Sequence, residues 1–249
     1  MRRFAISIAV VALTLMPARA AEEMSVPDYV VAAVADKDRP KEDTDRDVNR
    51  HPGEIMALTG VKAGDRAVDV VPGSGYYTRI LSRIVGDKGK VYAFNPKWVA
   101  EKFPKSIDGV KALAAAYANV EGAVQPMAEI KFDAPVDLVF ISLLYHDEVW
   151  QKIDVAKMNK AIFDALKPGG IYFVIDHVGP QVTTAEQIDK LHRIDPALVK
   201  TQVLAAGFEL AAESDLLRNP ADDGTVNVFD PSIRGKTDRF VYKFRKPSK

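Results

Sequence analysis

The chain has 249 residues, and its 34 Lys and Arg residues balance 34 Asp and Glu residues, so it is formally neutral. That balance argues against nucleic acid or an anionic membrane as the main partner. The sequence contains no cysteine, which excludes disulfide bonds, thiol catalysis and cysteine-ligated metals.

The first twenty residues have the layout of a secretory signal peptide. A basic start precedes an apolar run over residues 4–16, and Ala18-Arg19-Ala20 supplies the small residues of an A-x-A cleavage site. The run is too short for a permanent membrane anchor. We therefore expect cleavage after Ala20 and a periplasmic or secreted product that leaves the membrane. Loss of three arginines leaves 31 basic residues against 34 acidic ones, a net charge of −3.

Residues 21–51 are predicted to form an N-terminal region of two parts. The first is a short helix over residues 27–35, with valines on one side. The second, residues 36–50, is dense in charge and is named the charged arm here. Its sequence fits either a solvated linker or a lid over a cleft.

Residues 52–249 are predicted to form one domain in which strands alternate with helices. Predicted strands cover residues 67–71, 90–94, 120–124, 136–142, 171–175, 208–212 and 239–244. Predicted helices cover residues 54–59, 76–85, 107–118, 155–166 and 196–206. Alternation of this kind predicts right-handed crossovers and a parallel sheet, and the last two strands predict a hairpin at one edge. The predicted fold is a Rossmann-like seven-stranded α/β sheet, mostly parallel, with helices on both faces and the last strand antiparallel.

A glycine-rich turn is the most specific site signal. The predicted strand containing Asp69 runs into Pro72-Gly73-Ser74-Gly75, and a predicted helix starts at Tyr76. Glycines let the backbone turn tightly and approach a ligand, and a helix N-terminus offers free N–H groups. The turn predicts a ligand cradle, although a purely structural turn has the same sequence features.

The order of elements from about residue 52 to residue 244 resembles the class I S-adenosylmethionine-dependent methyltransferases. Asp69 with Gly73 and Gly75 matches the first motif of that family, and residues 137–140 and 166–170 match the start of its fourth strand and the turn into its fifth. The chain is especially similar to a group of exported predicted methyltransferases that share the segments found here at residues 72–78 and 234–240.

The resemblance implies S-adenosylmethionine as cofactor and methyl transfer to a small-molecule acceptor. The cofactor-binding residues that it implies are Asp69, Pro72, Gly73, Ser74, Gly75, Tyr76 and Asn95. The charge balance predicts no nucleic acid partner, and neither the acceptor nor the oligomeric state follows from the resemblance.

Three positions depart from the family pattern. Val71 replaces the first glycine, Asn95 replaces the acid that holds the ribose, and Pro126 replaces an aspartate that contacts adenine. Each lost hydrogen bond costs about 1–3 kcal/mol, so the cofactor site is expected to be weak or altered. The alternative function is a non-enzymatic periplasmic small-molecule binding protein. A nicotinamide-dependent enzyme is disfavoured, because the turn lacks the third glycine.

Polar residues cluster after the predicted fourth and fifth strands, whose ends lie at one edge of the sheet. Histidine suits proton transfer near neutral pH, and a carboxylate can fix its tautomer. The predicted catalytic residues are His146, Asp147 and His177, and the predicted substrate contacts are Tyr145, Asp176, His192 and Arg193. Helix capping by Asp147 and Asp195 is the plainer alternative. Two His/Asp pairs could also hold a divalent metal, and Arg234, Lys236 and Arg239 either bind an anionic substrate or are solvated.

Overall fold

The computed structural model describes residues 25–181 and 184–248 of the chain. The predicted signal peptide, residues 1–20, lies outside the described residues. The strands are β1 Arg66–Val70, β2 Lys90–Pro96, β3 Val120–Gln125, β4 Val136–Ser142, β5 Leu166–His177, β6 Glu209–Ser214 and β7 Arg239–Arg245. The α-helices are α1 Asp28–Val34, α2 Lys41–Thr44, α3 Asp47–Arg50, α4 Pro52–Thr59, α5 Tyr76–Val85, α6 Lys97–Lys102, α7 Lys105–Ala116, α8 Tyr145–Trp150, α9 Val155–Ala165, α10 Ala185–Leu191 and α11 Pro196–Ala205.

The seven strands form one sheet in the order β3-β2-β1-β4-β5-β7-β6. The pairings among β1 to β5 are parallel, whereas β7 is antiparallel to both β5 and β6. The strand order reverses between β1 and β4. The predicted fold is confirmed, and its reversal point places the glycine turn and the end of β4 at the same edge of the sheet.

Each face of the sheet has its own hydrophobic core, because side chains alternate along every strand. On β4, Val139 and Ile141 pack on one face with α9 and α11. Leu138 and Phe140 pack on the other face with α4, α5 and α7. Helices therefore cover both faces. Among the described residues, no helix is both long enough and apolar enough to span a bilayer.

The structure corrects several predicted boundaries. Val71, predicted as the end of the first strand, lies outside β1 and starts the turn. The turn predicted at residues 167–170 lies within β5, where the pairing passes from Leu166 opposite Val136 to Ile171 opposite Leu138. Those four residues therefore form a bulge in a longer strand.

Sequence patterns missed the short helices α2, α3, α6, α8 and α10, each of seven residues or fewer. Such helices contain too few turns to show an apolar period. A signal for α10 was nevertheless present, because Thr184 and Gln187 have capping-box spacing and form that box in the structure.

Candidate active site

The glycine turn leaves β1 at the carboxyl edge of the sheet. Gly73 and Gly75 have φ values of 57° and 93°, which glycine adopts at no steric cost. A Cβ atom added at Gly73 would meet nothing within 4 Å, whereas one added at Gly75 would lie 2.3 Å from Leu113 Cδ2. Gly73 therefore leaves space for a ligand, and Gly75 lets α7 pack against the turn.

Val71 occupies a left-handed backbone conformation in this turn. Its φ is 55°, and its N–H donates to the carbonyl oxygen of Phe94 at 2.8 Å. A positive φ is a genuine outlier for a β-branched residue, and such strain costs about 1–3 kcal/mol. Val71 therefore replaces the family glycine at a position whose backbone conformation favours glycine.

We expect Val71→Gly to raise the free energy of unfolding by about 1 kcal/mol or more, because glycine removes the steric cost at this φ. Urea denaturation of the two proteins measures the effect. Val70→Gly is the matched control, since Val70 lies in β1 beside it and should be destabilised by the same change. Equal destabilisation of both variants would contradict strain at Val71.

Asp69 joins β1 to α5. Its Oδ2 accepts a hydrogen bond of 2.6 Å from Thr78 Oγ1, and the residue is only 3% exposed. Burial raises the pKa of Asp69 to about 7, although the hydrogen bonds from Thr78 and the charge of Arg50 act in the opposite direction. The carboxyl group at the predicted cofactor site therefore titrates near neutral pH.

This raised pKa makes stability depend on pH. The folded-state pKa lies above the unfolded value, so the contribution of Asp69 is fully present below about pH 4 and is lost as the pH rises through about 7. Asp69→Asn keeps an acceptor for Thr78 and removes the titration. We expect the stability of the wild type relative to this variant to fall by up to about 4 kcal/mol between pH 4 and pH 8. Urea denaturation across that range checks this, and a difference independent of pH would contradict it.

Asn95 ends β2 at the predicted ribose position, but its side chain is already engaged. Nδ2 donates to Ser106 Oγ at 3.1 Å and to the Ser106 carbonyl oxygen at 3.3 Å, and the residue is 1% exposed. Pro126 follows β3 and is exposed. The Asn95 side chain would therefore reach a ribose only after giving up its hydrogen bonds to Ser106.

The charged arm folds over the start of α5. Asp47 accepts a hydrogen bond from Tyr76 O–H at 2.6 Å and forms a bidentate ion pair with Arg39. Arg46 donates to Ser74 Oγ at 3.3 Å, and the Arg50 guanidinium lies 4.6 Å from the centre of the Tyr76 ring. These contacts favour the lid interpretation over a solvated linker.

The two tyrosines of the turn are both buried. Tyr76 is 2% exposed beneath the arm, and Tyr77 packs on Phe140 with ring centres 4.6 Å apart. Tyr77 therefore belongs to the core. Tyr76, predicted to bind the cofactor, contacts the arm instead, and its contact with a ligand stays a prediction.

His146 and Asp176 form a buried pair at the ends of β4 and β5. Asp176 Oδ1 lies 2.7 Å from His146 Nδ1, and Oδ2 accepts the His146 backbone N–H at 2.8 Å. Burial lowers the pKa of His146, but the charge and hydrogen bond of Asp176 raise it by more, so the net pKa lies above its ordinary value. The imidazole is thus oriented with Nε2 directed away from Asp176.

His177 lies beside this pair, with its ring centre 5.8 Å from that of His146. Its Nδ1 is 2.7 Å from Thr237 Oγ1, and burial lowers its pKa to about 3. The ring is therefore neutral at physiological pH. Thr237 was not among the predicted site residues, although it lies in residues 234–240, one of the two segments on which the family resemblance rests.

Asp147 and His192 complete the cluster around His146. Asp147 Oδ1 lies 3.4 Å from His146 Nε2 and 3.5 Å from His192 Nδ1, and Trp150 Nε1–H donates to the same oxygen at 2.7 Å. Asp147 lies inside α8, so the capping alternative does not apply to it, whereas Asp195 does cap α11. The structure brings these predicted residues together.

Two predicted substrate contacts lie in the interior. The Tyr145 hydroxyl accepts a hydrogen bond from Asn159 at 2.8 Å and donates to Gln202 at 3.1 Å. Arg193 is fully buried and forms two hydrogen bonds with Asp222, of 2.8 and 2.9 Å. These contacts explain both side chains structurally, and the geometry gives their substrate roles no support.

Sequence reasoning missed the buried acid Glu148. It is 0% exposed, and its Oε1 accepts a hydrogen bond of 3.0 Å from Trp98 Nε1. Burial raises the pKa of Glu148 to about 7. Its position on α8, a helix that the sequence did not predict, explains why it was overlooked.

A small cavity of about 280 Å³ lies between the arm and the segment before β7, lined by residues that include His51, Lys236 and Arg239. Two residues of the predicted basic cluster, Lys236 and Arg239, therefore line a cavity near the carboxyl ends of the strands. A larger cavity of about 920 Å³ lies between residues 128–135 and α9. It contains none of the predicted site residues.

The reversal in strand order, the glycine turn and the antiparallel β7 define the class I S-adenosylmethionine-dependent methyltransferase fold. The chain belongs to the ubiE/COQ5 methyltransferase family, whose model matches residues 47–198. The matched residues include the glycine turn, strands β1 to β5 and helix α8.

Two curated relatives are similar to the chain. It is 28% identical to the ubiquinone/menaquinone biosynthesis C-methyltransferase UbiE of Teredinibacter turnerae, over 55% of this chain and 53% of the relative. It is 26% identical to the UbiE protein of Saccharophagus degradans, over 74% and 69%. The chain thus spans about half to two thirds of the length of these relatives.

A solved structure shares the fold. The S-adenosylmethionine-dependent methyltransferase from Aquifex aeolicus has a TM-score of 0.55 and 21% identity, with 78% of this chain and 88% of that chain covered. At this identity the likeness establishes the fold alone.

Proposed function

We propose that the protein is an exported methyltransferase that transfers a methyl group from S-adenosylmethionine to a small-molecule acceptor. One observation carries this proposal. The pair of His146 with buried Asp176 lies at the sheet edge that also bears the glycine turn, in a chain of the ubiE/COQ5 family. Methyl transfer needs an acceptor aligned with the methyl group and often a base that takes its proton, and a base oriented by a carboxylate beside a cofactor cradle can supply the second need.

The glycine turn would hold the cofactor. Open space at Gly73, the exposed Ser74 side chain and the start of α5 provide backbone and hydroxyl donors. The bound cofactor supplies an electrophilic methyl group. Asp69 adds a nearby carboxyl group, and Asn95 would contact the ribose after exchanging its bond to Ser106.

The acceptor would bind beside His146 and His192. His192 is flanked by aromatic rings, with the Phe229 ring centre at 5.0 Å and the Trp150 ring centre at 6.3 Å. Such surroundings favour a flat, aromatic acceptor, and the two UbiE relatives, which are named for ubiquinone and menaquinone biosynthesis, point to the same chemical class. His146 would take the proton that the acceptor loses as its new bond to the methyl carbon forms.

Isothermal titration of the mature protein with S-adenosylmethionine and S-adenosylhomocysteine tests the proposal. We expect measurable but weak binding. We also expect Asn95→Asp to tighten it about tenfold, because a carboxylate accepts both ribose hydroxyls more strongly. Asp137→Asn, at the far end of the sheet beside Lys167, is the control that should not change binding. No binding of either ligand at millimolar concentration would count against a methyltransferase.

The second candidate function is a non-enzymatic periplasmic binding protein with a degenerate cofactor site. The bond between Asn95 and Ser106 and the valine at position 71 favour it. The double variant Asn95→Asp with Pro126→Asp separates the two functions. Cofactor binding that appears only in this variant, with unchanged thermal stability, would favour the binding protein.

Export is the part of the proposal that rests on residues 1–20 alone. Expression in a bacterium, followed by fractionation and N-terminal sequencing, tests it. The expected periplasmic product starts at Ala21, and a product that retains the first twenty residues in the cytoplasm would contradict export.

A further inference from the structure

Three potential metal ligands converge at the end of β4. They are His146 Nε2, Asp147 Oδ1 and His192 Nδ1, all within 4.8 Å of one another. His146 and Asp147 come from α8, and His192 ends α10, so two separate segments build the cluster. The set offers two imidazoles and one carboxylate, which suits borderline divalent ions.

The orientation of His146 leaves Nε2 free to coordinate. Asp176 accepts from Nδ1 at 2.7 Å and is itself fully buried, which keeps a proton on Nδ1. Nε2 faces Asp147 Oδ1 at 3.4 Å. A divalent ion between these two atoms would replace a proton on Nε2 and bind both of them.

His192 presents a ring nitrogen to Asp147 from the other side. Its buried Nδ1 has no hydrogen-bond partner among the described residues, yet it lies 3.5 Å from Asp147 Oδ1. A left-handed backbone, with φ 53°, ends α10 at this residue. Trp150 holds Asp147 in place through its indole N–H. The ligand atoms of His146 and Asp147 are thus positioned by contacts outside the cluster.

We propose that His146, Asp147 and His192 bind one divalent metal ion of the zinc type, with Asp176 orienting His146 from behind. Tetrahedral coordination at bond lengths of about 2.0–2.1 Å separates ligand atoms by about 3.3 Å, close to the two distances that Asp147 makes. The side chains of Asp147 and His192 are 20% and 21% exposed. The fourth position therefore faces the cleft and takes water or an acceptor oxygen.

The ion would have a specific role in the proposed methyl transfer. This role, unlike metal binding itself, rests on the proposed function. A metal ion would lower the pKa of a hydroxyl bound to it, so an acceptor oxygen at the fourth position would give its proton to solvent in the cleft rather than to His146, whose Nε2 the ion would occupy. Metal binding itself stands whether or not methyl transfer occurs.

The test is a metal titration of the mature protein after removal of ions with EDTA. Zn²⁺ binding is followed by calorimetry, and Co²⁺ binding by its visible absorption, which is intense in tetrahedral sites. We expect one ion per chain. His192→Asn and Asp147→Asn should each lower the affinity at least about 100-fold, and Asp176→Asn should lower it about 10- to 100-fold. Asparagine tolerates the left-handed backbone at position 192, so the first variant should fold.

His51→Asn is the matched control, because His51 also has a left-handed backbone and lies 3.7 Å from the carboxylate of Glu54. This variant should bind the ion as the wild type does. Absence of binding in the folded wild type would overturn the proposal. Equal affinity in the wild type and both folded ligand variants would also overturn it, since the ion would then sit elsewhere.

Discussion

Replacement of His146 by alanine is expected to lower turnover about 10²-fold or more, the usual scale for loss of a positioned base. The imidazole is 3% exposed and is held by Asp176 at 2.7 Å, so few other groups can take its place. The measurement is steady-state turnover on an acceptor that the cleft demonstrably binds. Circular dichroism shows whether the variant is folded.

His51 provides the comparison for this experiment. It lies after the charged arm, with its imidazole 3.7 Å from Glu54 and 42% of its side chain exposed. His51→Ala should therefore change mainly affinity and leave turnover near the wild-type value. Equal turnover in the wild type and His146→Ala would remove His146 from the mechanism.

Chelation distinguishes the two roles that Nε2 of His146 could have. If His146 acts as a bare base, treatment with EDTA leaves the turnover of the wild type unchanged. If it holds a metal ion, EDTA lowers turnover and added Zn²⁺ restores it. The variant His146→Ala should stay inactive with or without the ion, since it lacks both the base and the ligand.

The fold was predictable because its signals are local and repeated. β4 and α5 have the boundaries that the sequence indicates. A continuous apolar run marks the strand, and an apolar stripe over more than two helical turns marks the helix. The short helices were not predicted, because tertiary contacts stabilise them and their sequences show no apolar period.

The site was predictable only in part, because its contacts join segments that are distant in sequence. The predicted adjacency of β4 and β5 placed His146 and His177 in one cleft, but the direct bond from Asp176 to His146 depends on the register of Ser142 opposite Ile175. The sequence of the charged arm fits either a linker or a lid, and only its contact with Tyr76 favours the lid. Arg193 shows the same limit, since its charge suggested a substrate contact and its partner Asp222 lies 29 residues away in the sequence.

Removal of that partner is expected to have the largest effect on stability. Asp222→Ala should lower the free energy of unfolding by about 3–5 kcal/mol, because it leaves the fully buried Arg193 guanidinium without its counter-ion. Asp222 also accepts the backbone N–H groups of Gly224 and Asp238. Urea denaturation at pH 7 measures the loss.

The neighbouring residue supplies the control. Asp223 is exposed, and among the described residues its carboxylate bonds only to Thr225 within the same turn, so Asp223→Ala should change stability by no more than about 0.5–1 kcal/mol. The double variant Arg193→Met with Asp222→Leu should recover part of the loss, because no charge then remains buried unpaired. The recovery is partial, since the backbone N–H groups of Gly224 and Asp238 still lose their acceptor. A loss in Asp222→Ala no larger than that in Asp223→Ala would show that the buried pair contributes little to holding the loop against β5.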